Sequence, residues 1–157
     1  MLNKILKKTD CAKCRFCCVF DKTDCWEIPL FDLDAVKFLQ AQDCNVEFEQ
    51  IGKKYRLIPK FNSDGLYYCA ALSNNGCVLS NELKPFDCKI WPFRIMKKDD
   101  SIYLTLSDGC HVINEIDDVH LNSFINDGFG DIISSYLSQN KEMVKTYVDG
   151  YRLINKL

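Results

Sequence analysis

Residues 11–18 read CAKCRFCC, four cysteines in eight positions with the last two adjacent. Thiolates left side by side repel one another, and a cation or an iron-sulfur core removes that cost. The octet therefore constrains the chain to folds that converge sulfur. If it is helical, at about 100° per residue, Cys11, Cys14, Cys17 and Cys18 fall within about 120° of one another on one face. If it is a loop, Cys-x2-Cys-x2-Cys curls around one ion or cluster, as ferredoxin-type runs do.

Six further cysteines stand at positions 25, 44, 69, 77, 88 and 110, giving ten in 157 residues. Their meaning depends on the compartment. The opening MLNKILKKTD has neither a long apolar run nor a small-residue cleavage site. Nothing later approaches the roughly 18 apolar residues of a membrane span. A cytoplasmic location is the expectation, and in a reducing cytosol clustered thiols are better explained as metal ligands or redox groups than as disulfides.

Twenty basic against 22 acidic side chains leave a net charge of -2, so no overall field draws the chain to nucleic acid or to an anionic membrane. Lys4, Lys7, Lys8, Lys13 and Arg15 read as a solvated basic face. Apolar residues at 47% and charged residues at 27% exclude a disordered chain. The length and the lack of repeats, linkers or composition breaks suit one domain over 1–157, with a motif region at 11–110 and a C-terminal helical part at 117–157.

The expected fold class is α+β, with short strands, irregular cysteine-bearing loops and C-terminal helices. The segment 27–42 reads as an extended entry followed by a helix, with Asp32 as N-cap and Ala35, Val36, Phe38 and Leu39 facing the core. YRLIPKF, GLYYCAAL and the pair FRIM and IYLTLS carry strand signals, the last two forming a hairpin across KKDDS. Asn74-Asn75-Gly76 predicts a tight turn before Cys77, and the prolines of KPFDCKIWPF place Cys88 on a loop or a single helical turn. Ile132, Ile133, Tyr136 and Leu137, then Met143, Val144, Tyr147, Val148 and Tyr151, recur at helical spacing and predict core-facing helices.

Four thiolates fill a tetrahedral zinc site or one cubane cluster. Cys69, Cys77, Cys88 and Cys110 stand singly, without a second Cys-x2-Cys knuckle, which argues against a two-knuckle zinc ribbon. Adjacent Cys17 and Cys18 point in different directions in most conformations, so one of them is suited to a second metal or to bridging.

The pattern C11-x2-C14-x2-C17-C18, followed by C69-x2-L72-x4-C77-x6-KP85-x2-C88-x3-PF93, resembles the YkgJ-like CxxCxxCC cysteine-cluster family. That family is regarded as a zinc- or iron-chelating domain, and a related segment occurs in flagellin lysine-N-methylases. The resemblance implies Cys11, Cys14, Cys17, Cys18, Cys69, Cys77 and Cys88 as ligands. Cys110 joins them by arithmetic, because it brings the set to eight: two four-sulfur sites, or one four-cysteine cluster with spare or bridging thiols. The chain departs from the family at Arg15, where glycine is usual, and at Lys84-Pro85, where Arg-Pro is usual.

Cys25 and Cys44 lie outside the pattern and read as buried free thiols. His111 reads as a structural hydrogen-bonding residue, His120 as a helix-surface residue, and Trp91 and Phe93 as core. The functional expectation is a metal-binding protein holding an iron-sulfur cluster, such as [4Fe–4S], for electron transfer or in support of a partner enzyme. The alternative is a zinc module that binds a protein partner. An enzyme has little support, since the sequence lacks G-x-G-x-x-G, Walker, G-x-S-x-G and H-E-x-x-H motifs. Thiol redox sensing at Cys17 and Cys18 is a further reading.

Overall fold

The computed structural model describes residues 1–23 and 26–157. The chain is α+β and gathers into two compact units. One holds Lys7–Lys89 with Leu2, and the other holds Ile90–Leu157 with Met1 and Asn3–Leu6.

The Lys7–Lys89 unit begins with α1 (Lys8–Cys14) and a 3-10 turn at Phe16–Cys18, which runs into β1 (Val19–Phe20). β2 (Leu30–Phe31) then leads into α2 (Leu33–Gln42), as the apolar spacing of 27–42 requires. Ala35, Val36 and Leu39 are buried, and Phe38 packs against that core from a partly buried position. Asp32 does occupy the N-cap position, but its side chain makes no cap bond. Its carboxylate instead accepts from Lys54 Nζ at 2.6 Å, because an ammonium offers the anion a charged donor where the helix offers neutral N–H groups.

β3 (Glu47–Ile51) and β4 (Lys54–Ile58) form a hairpin over a two-residue turn, with Gly52 at φ 60. β2 adds to its other edge, giving the order β2-β4-β3. β5 (Lys60–Phe61) and β6 (Tyr67–Tyr68) continue as short strands, and β1-β6-β5 is a second small sheet. Thus GLYYCAAL is not one strand. It leaves the sheet after Tyr68 and re-enters pairing at β7 (Leu72–Ser73), which joins β8 (Gly76–Cys77). The turn between them is the one foreseen at Asn74-Asn75-Gly76, with Gly76 at φ 95. α3 (Phe86–Ile90) follows Pro85, so Cys88 sits on a short helix.

The second unit is built on β9 (Phe93–Lys98) and β10 (Ser101–Ser107), the hairpin foreseen from FRIM and IYLTLS. Its two-residue turn holds Asp99 at φ 52, a conformation aspartate tolerates better than most side chains. Phe93 through Met96 and Leu104 through Ser107 are buried, as suits strands covered on both faces. α4 (His111–Asn114) and α5 (Asp118–Phe124) follow. At Ile125–Phe129 the helix path breaks where Asp127 and Gly128 (φ 90) leave helical geometry, and α6 (Gly130–Gln139) resumes it. Phe129 packs against Phe93 and Phe124, at centroid distances of 5.0 and 4.8 Å.

The C-terminal helix expected over Met143–Tyr151 does not form. After a 3-10 turn at Lys141–Met143 the chain is extended: β11 (Lys145–Thr146) runs parallel to β9, and β12 (Tyr151–Lys156) pairs antiparallel with β10. The order is β11-β9-β10-β12. Val144, Thr146, Tyr147 and Val148 are β-branched or aromatic, Gly150 at φ 93 breaks any helix, and the edges of the β9–β10 hairpin supply partners that a nine-residue helix would forgo. Tyr147 N–H donates to the Lys97 carbonyl at 2.9 Å. In α6, Ile133 is fully buried as expected, whereas Ile132 is 45% exposed and not a core residue.

No helix among the described residues is long and apolar enough to cross a membrane.

Candidate metal centre

Seven of the eight cysteines singled out in the sequence lie in the Lys7–Lys89 unit; Cys110 lies in the other. The octet is neither one helix nor one loop. α1 is opened by the Asp10 carboxylate, which accepts from the Lys7 N–H at 3.3 Å. It closes after Cys14 because Arg15 turns left-handed, at φ 56 and ψ 0, with its N–H on the Cys11 carbonyl at 3.0 Å. The 3-10 turn then carries Cys17 and Cys18, with the Cys18 N–H on the Arg15 carbonyl at 2.9 Å. Cys11 and Cys14, three apart, share a face of α1 and are exposed. The break at Arg15 re-aims Cys17 and Cys18, which are half-buried.

Three elements bring sulfur to Cys18. Its own turn places the Cys17 Sγ 3.9 Å from the Cys18 Sγ. β6 ends at Tyr68, and Cys69 donates its backbone N–H to the Cys18 carbonyl at 2.9 Å, extending the β1–β6 ladder by one step. The buried Cys69 side chain lies within hydrogen-bonding reach of the Cys18 thiol. The β7–β8 hairpin ends in exposed Cys77, close enough for its charge to act on Cys18. That hairpin seats against α1 through Gly76, where a β-carbon would meet Ala12 Cβ at 3.3 Å.

The electrostatics follow from this crowding. The contact with Cys17 draws the Cys18 pKa down, but the hydrogen bond with Cys69, burial, and the charges that Cys69 and Cys77 would carry outweigh it. The Cys18 thiol is pushed up from 9.0 to about 12.

The chemistry of this set is all sulfur, suited to zinc or iron rather than to a hard oxygen-seeking ion. Among the described residues, however, no group of three or more cysteine, histidine, aspartate or glutamate side chains assembles into an arrangement that could hold a metal ion. The structure therefore brings Cys17 and Cys69 to Cys18, with Cys77 near enough for its charge to be felt there, and closes no coordination shell among them.

Cys88 lies in α3, half-buried, with its N–H on the Pro85 carbonyl at 3.0 Å. Cys110 is buried before α4, where its carbonyl accepts from the Asn114 side chain at 2.9 Å. Cys44 corrects the expectation of a buried thiol. It is exposed, because α2 ends at Gln42 and the turn to β3 carries it away from the core. Cys25 lies outside the described residues. His111 is exposed at the start of α4. His120 is the expected surface residue, its ring 2.6 Å from the Asp117 carboxylate. Trp91 and Phe93 are buried, with Arg94 4.6 Å above the Trp91 ring.

Arg15 has a positioning role that its reading as a solvated cation missed. Its Nε donates to the Ala12 carbonyl at 3.2 Å and its Nη2 to the Asn74 carbonyl at 2.8 Å, joining the octet to the turn before Cys77. The signal was available: glycine is usual there in the family that the motif resembles, and the backbone here is left-handed.

No protein-family model, curated protein or solved structure matches this chain. The resemblance to the YkgJ-like family rests on the motif residues alone.

Proposed function

We propose that this is a metal-binding protein of a reducing, cytoplasmic compartment, in which clustered cysteines hold an iron-sulfur cluster for electron transfer or in support of a partner enzyme. The observation that carries the reading is the gathering of Cys17, Cys69 and Cys77 about Cys18 from three separate elements. Cys11, Cys14 and Cys88 belong to the same unit and are the further donors that the motif supplies. Binding would exchange the thiol protons for a cation and draw the loops inward, because ligation and folding are linked in such sites. A cluster supplies reversible one-electron chemistry; the chain's part is to hold and shield it.

The test is anaerobic reconstitution of the full chain with iron and sulfide, followed by metal and sulfide analysis per chain and a visible spectrum. Iron and sulfide in whole-cluster ratios with absorbance beyond the protein band support the proposal. A colourless protein that retains only zinc replaces it with the zinc module. A chain that retains neither metal refutes both.

A further inference from the structure

Cys18 and Cys69 stand in a relationship no other pair of these cysteines shares in the backbone ladder. The register Val19↔Tyr68 and Phe20↔Tyr67, carried back one step, sets Cys18 directly opposite Cys69. The N–H of Cys69 bonds the Cys18 carbonyl at 2.9 Å, while the Cys18 N–H turns back to the Arg15 carbonyl, so one bond of the ladder carries the pairing to this step. Residues directly opposed in an antiparallel ladder have Cα atoms about 4.5–5.5 Å apart, inside the span of about 4.4–6.8 Å that a disulfide bridges. Opposed residues project to the same face of the sheet, and the Cys69 side chain lies within hydrogen-bonding reach of the Cys18 thiol. Both belong to or pack on the hydrophobic core of their unit, so the pairing is held by the fold. By contrast, Cys17 and Cys18 are sequence neighbours in a tight turn, where a bond would close a strained small ring.

We propose that, when the site is without metal, Cys18 and Cys69 close a cross-strand disulfide that withdraws two sulfurs from coordination, making metal uptake conditional on a reducing thiol poise. This gate rests on the metal-binding reading above. The oxidant is a small disulfide such as oxidised glutathione. One protein thiolate attacks a sulfur of that disulfide, expels one small thiolate and forms a mixed disulfide. The second protein thiolate attacks the protein sulfur of the mixed disulfide and expels the other small thiolate. Two protein thiols are oxidised, one small disulfide is reduced to two thiols, and the two protons lost by the protein are taken up by the leaving thiolates. Cys18 and Cys69 would be unavailable for this exchange if they were engaged as metal ligands.

The experiment equilibrates the metal-free full chain in glutathione buffers from reduced to oxidised, traps remaining thiols by alkylation and maps cross-links by peptide mass spectrometry. Zinc ion uptake by the same samples is read in parallel. A Cys18–Cys69 cross-link that accumulates with oxidation, is lost in Cys18→Ser and in Cys69→Ser, and persists in Cys17→Ser and Cys44→Ser supports the proposal. So does zinc uptake that falls at least tenfold on oxidation and returns on reduction. A dominant Cys17–Cys18 or Cys11–Cys14 bond, no cross-link in the most oxidised buffer, or undiminished zinc uptake by the cross-linked chain overturns it. The wild-type map is read without any variant, so a serine variant that misfolds does not decide the outcome. If the reduced arm takes up neither zinc nor iron, the metal-binding reading itself has failed and the gate falls with it, while the peptide map separately reports whether the pairing was right.

Discussion

The Nη2 of Arg15 donates to the carbonyl of Asn74 at 2.8 Å, tying together positions 59 residues apart. The same residue is left-handed at φ 56, so one side chain both ends α1 and fastens the β7–β8 turn beside it. The two roles pull in opposite directions on stability. A left-handed non-glycine residue costs about 1–2 kcal/mol, and each net hydrogen bond returns about 1 kcal/mol. Arg15→Ala keeps the strain and loses both bonds, so it should destabilise by about 1–2 kcal/mol. Arg15→Gly loses the bonds but relieves the strain, and should lie within about 1 kcal/mol of wild type. Urea midpoints of the three proteins check this order, and a less stable glycine variant would refute it.

Gly76 and Gly65 separate backbone strain from steric contact. Both are at positive φ, 95 and 85. A β-carbon at Gly65 meets nothing within 4 Å, whereas one at Gly76 meets Ala12 Cβ at 3.3 Å and Ala12 Cα at 3.6 Å. Gly65→Ala should therefore cost about 1 kcal/mol from conformation alone. Gly76→Ala should cost about 1 kcal/mol more, because overpacking pushes the hairpin from α1. Equal midpoints for the two variants would show that the α1 seat yields freely.

The Cys18 thiol gives a pH dependence with a definite sign. Its folded pKa of about 12 stands above its ordinary 9.0, so the folded metal-free state binds the proton more tightly than the unfolded state. The contribution to stability is complete below pH 9 and is lost as pH rises from 9 towards 12. Other thiols, tyrosines and lysines titrate in that range, so the readout is the difference between wild type and Cys18→Ser. That difference, from denaturant unfolding in reductant, should be constant between pH 7 and 8.5 and move against wild type above pH 9.

What could be read in the sequence and what could not divide along physical lines. FRIM and IYLTLS declared their hairpin because strand propensity and a short polar turn agree locally. Residues 143–151 misled, because apolar positions three and four apart also occur by chance in a β-branched segment, and its sheet partners at Met96–Lys97 and Ser107 lie far away in sequence. β3 passed unnoticed because EFEQI is nearly all exposed and offers no buried face to declare it. For the site, spacing foretold that sulfur would converge, but not that α1 would stop at Cys14. That stop depends on Arg15, whose left-handed turn is held partly by Asn74. Cys44 was misjudged because free cysteine is usually buried, and only the end of α2 sets its exposure.

Asp43 offers a test at the acid end. Lys60 Nζ donates to its carboxylate at 2.7 Å, and Asn45 donates to it from both its backbone and its side chain at 2.9 Å. Lys60 first, then Asn45, hold the Asp43 pKa down from 3.8 to about 2. A depressed carboxylate stabilises the fold above its ordinary pKa and loses that contribution as pH falls from 3.8 through about 2. The pair is exposed, so its effect on stability should be small. Its titration is the better readout: carboxyl carbon NMR should place Asp43 below the other aspartates, and Lys60→Met should move it upward.

The cysteines themselves divide into a class that should matter for metal and one that should not. Cys18 and Cys69 meet across the ladder, Cys17 touches Cys18, and Cys77 lies close enough to act on Cys18. Cys44 is exposed beyond the end of α2. If the first group supplies ligands, replacing any one by serine exchanges a soft thiolate for a weakly acidic hydroxyl and should reduce metal per chain by at least half. The melting temperature of the loaded protein should fall with it, because binding energy at such sites is folding energy. Cys44→Ser should change neither metal content nor melting temperature by more than the error of measurement. Cys69→Ser is the sharpest case, since its metal-free form loses one buried thiol whereas its loaded form would lose a ligand. The wild-type-to-variant difference in melting temperature should therefore be larger with metal than without. Equal differences in the two states would assign Cys69 to core packing and remove it from the ligand set.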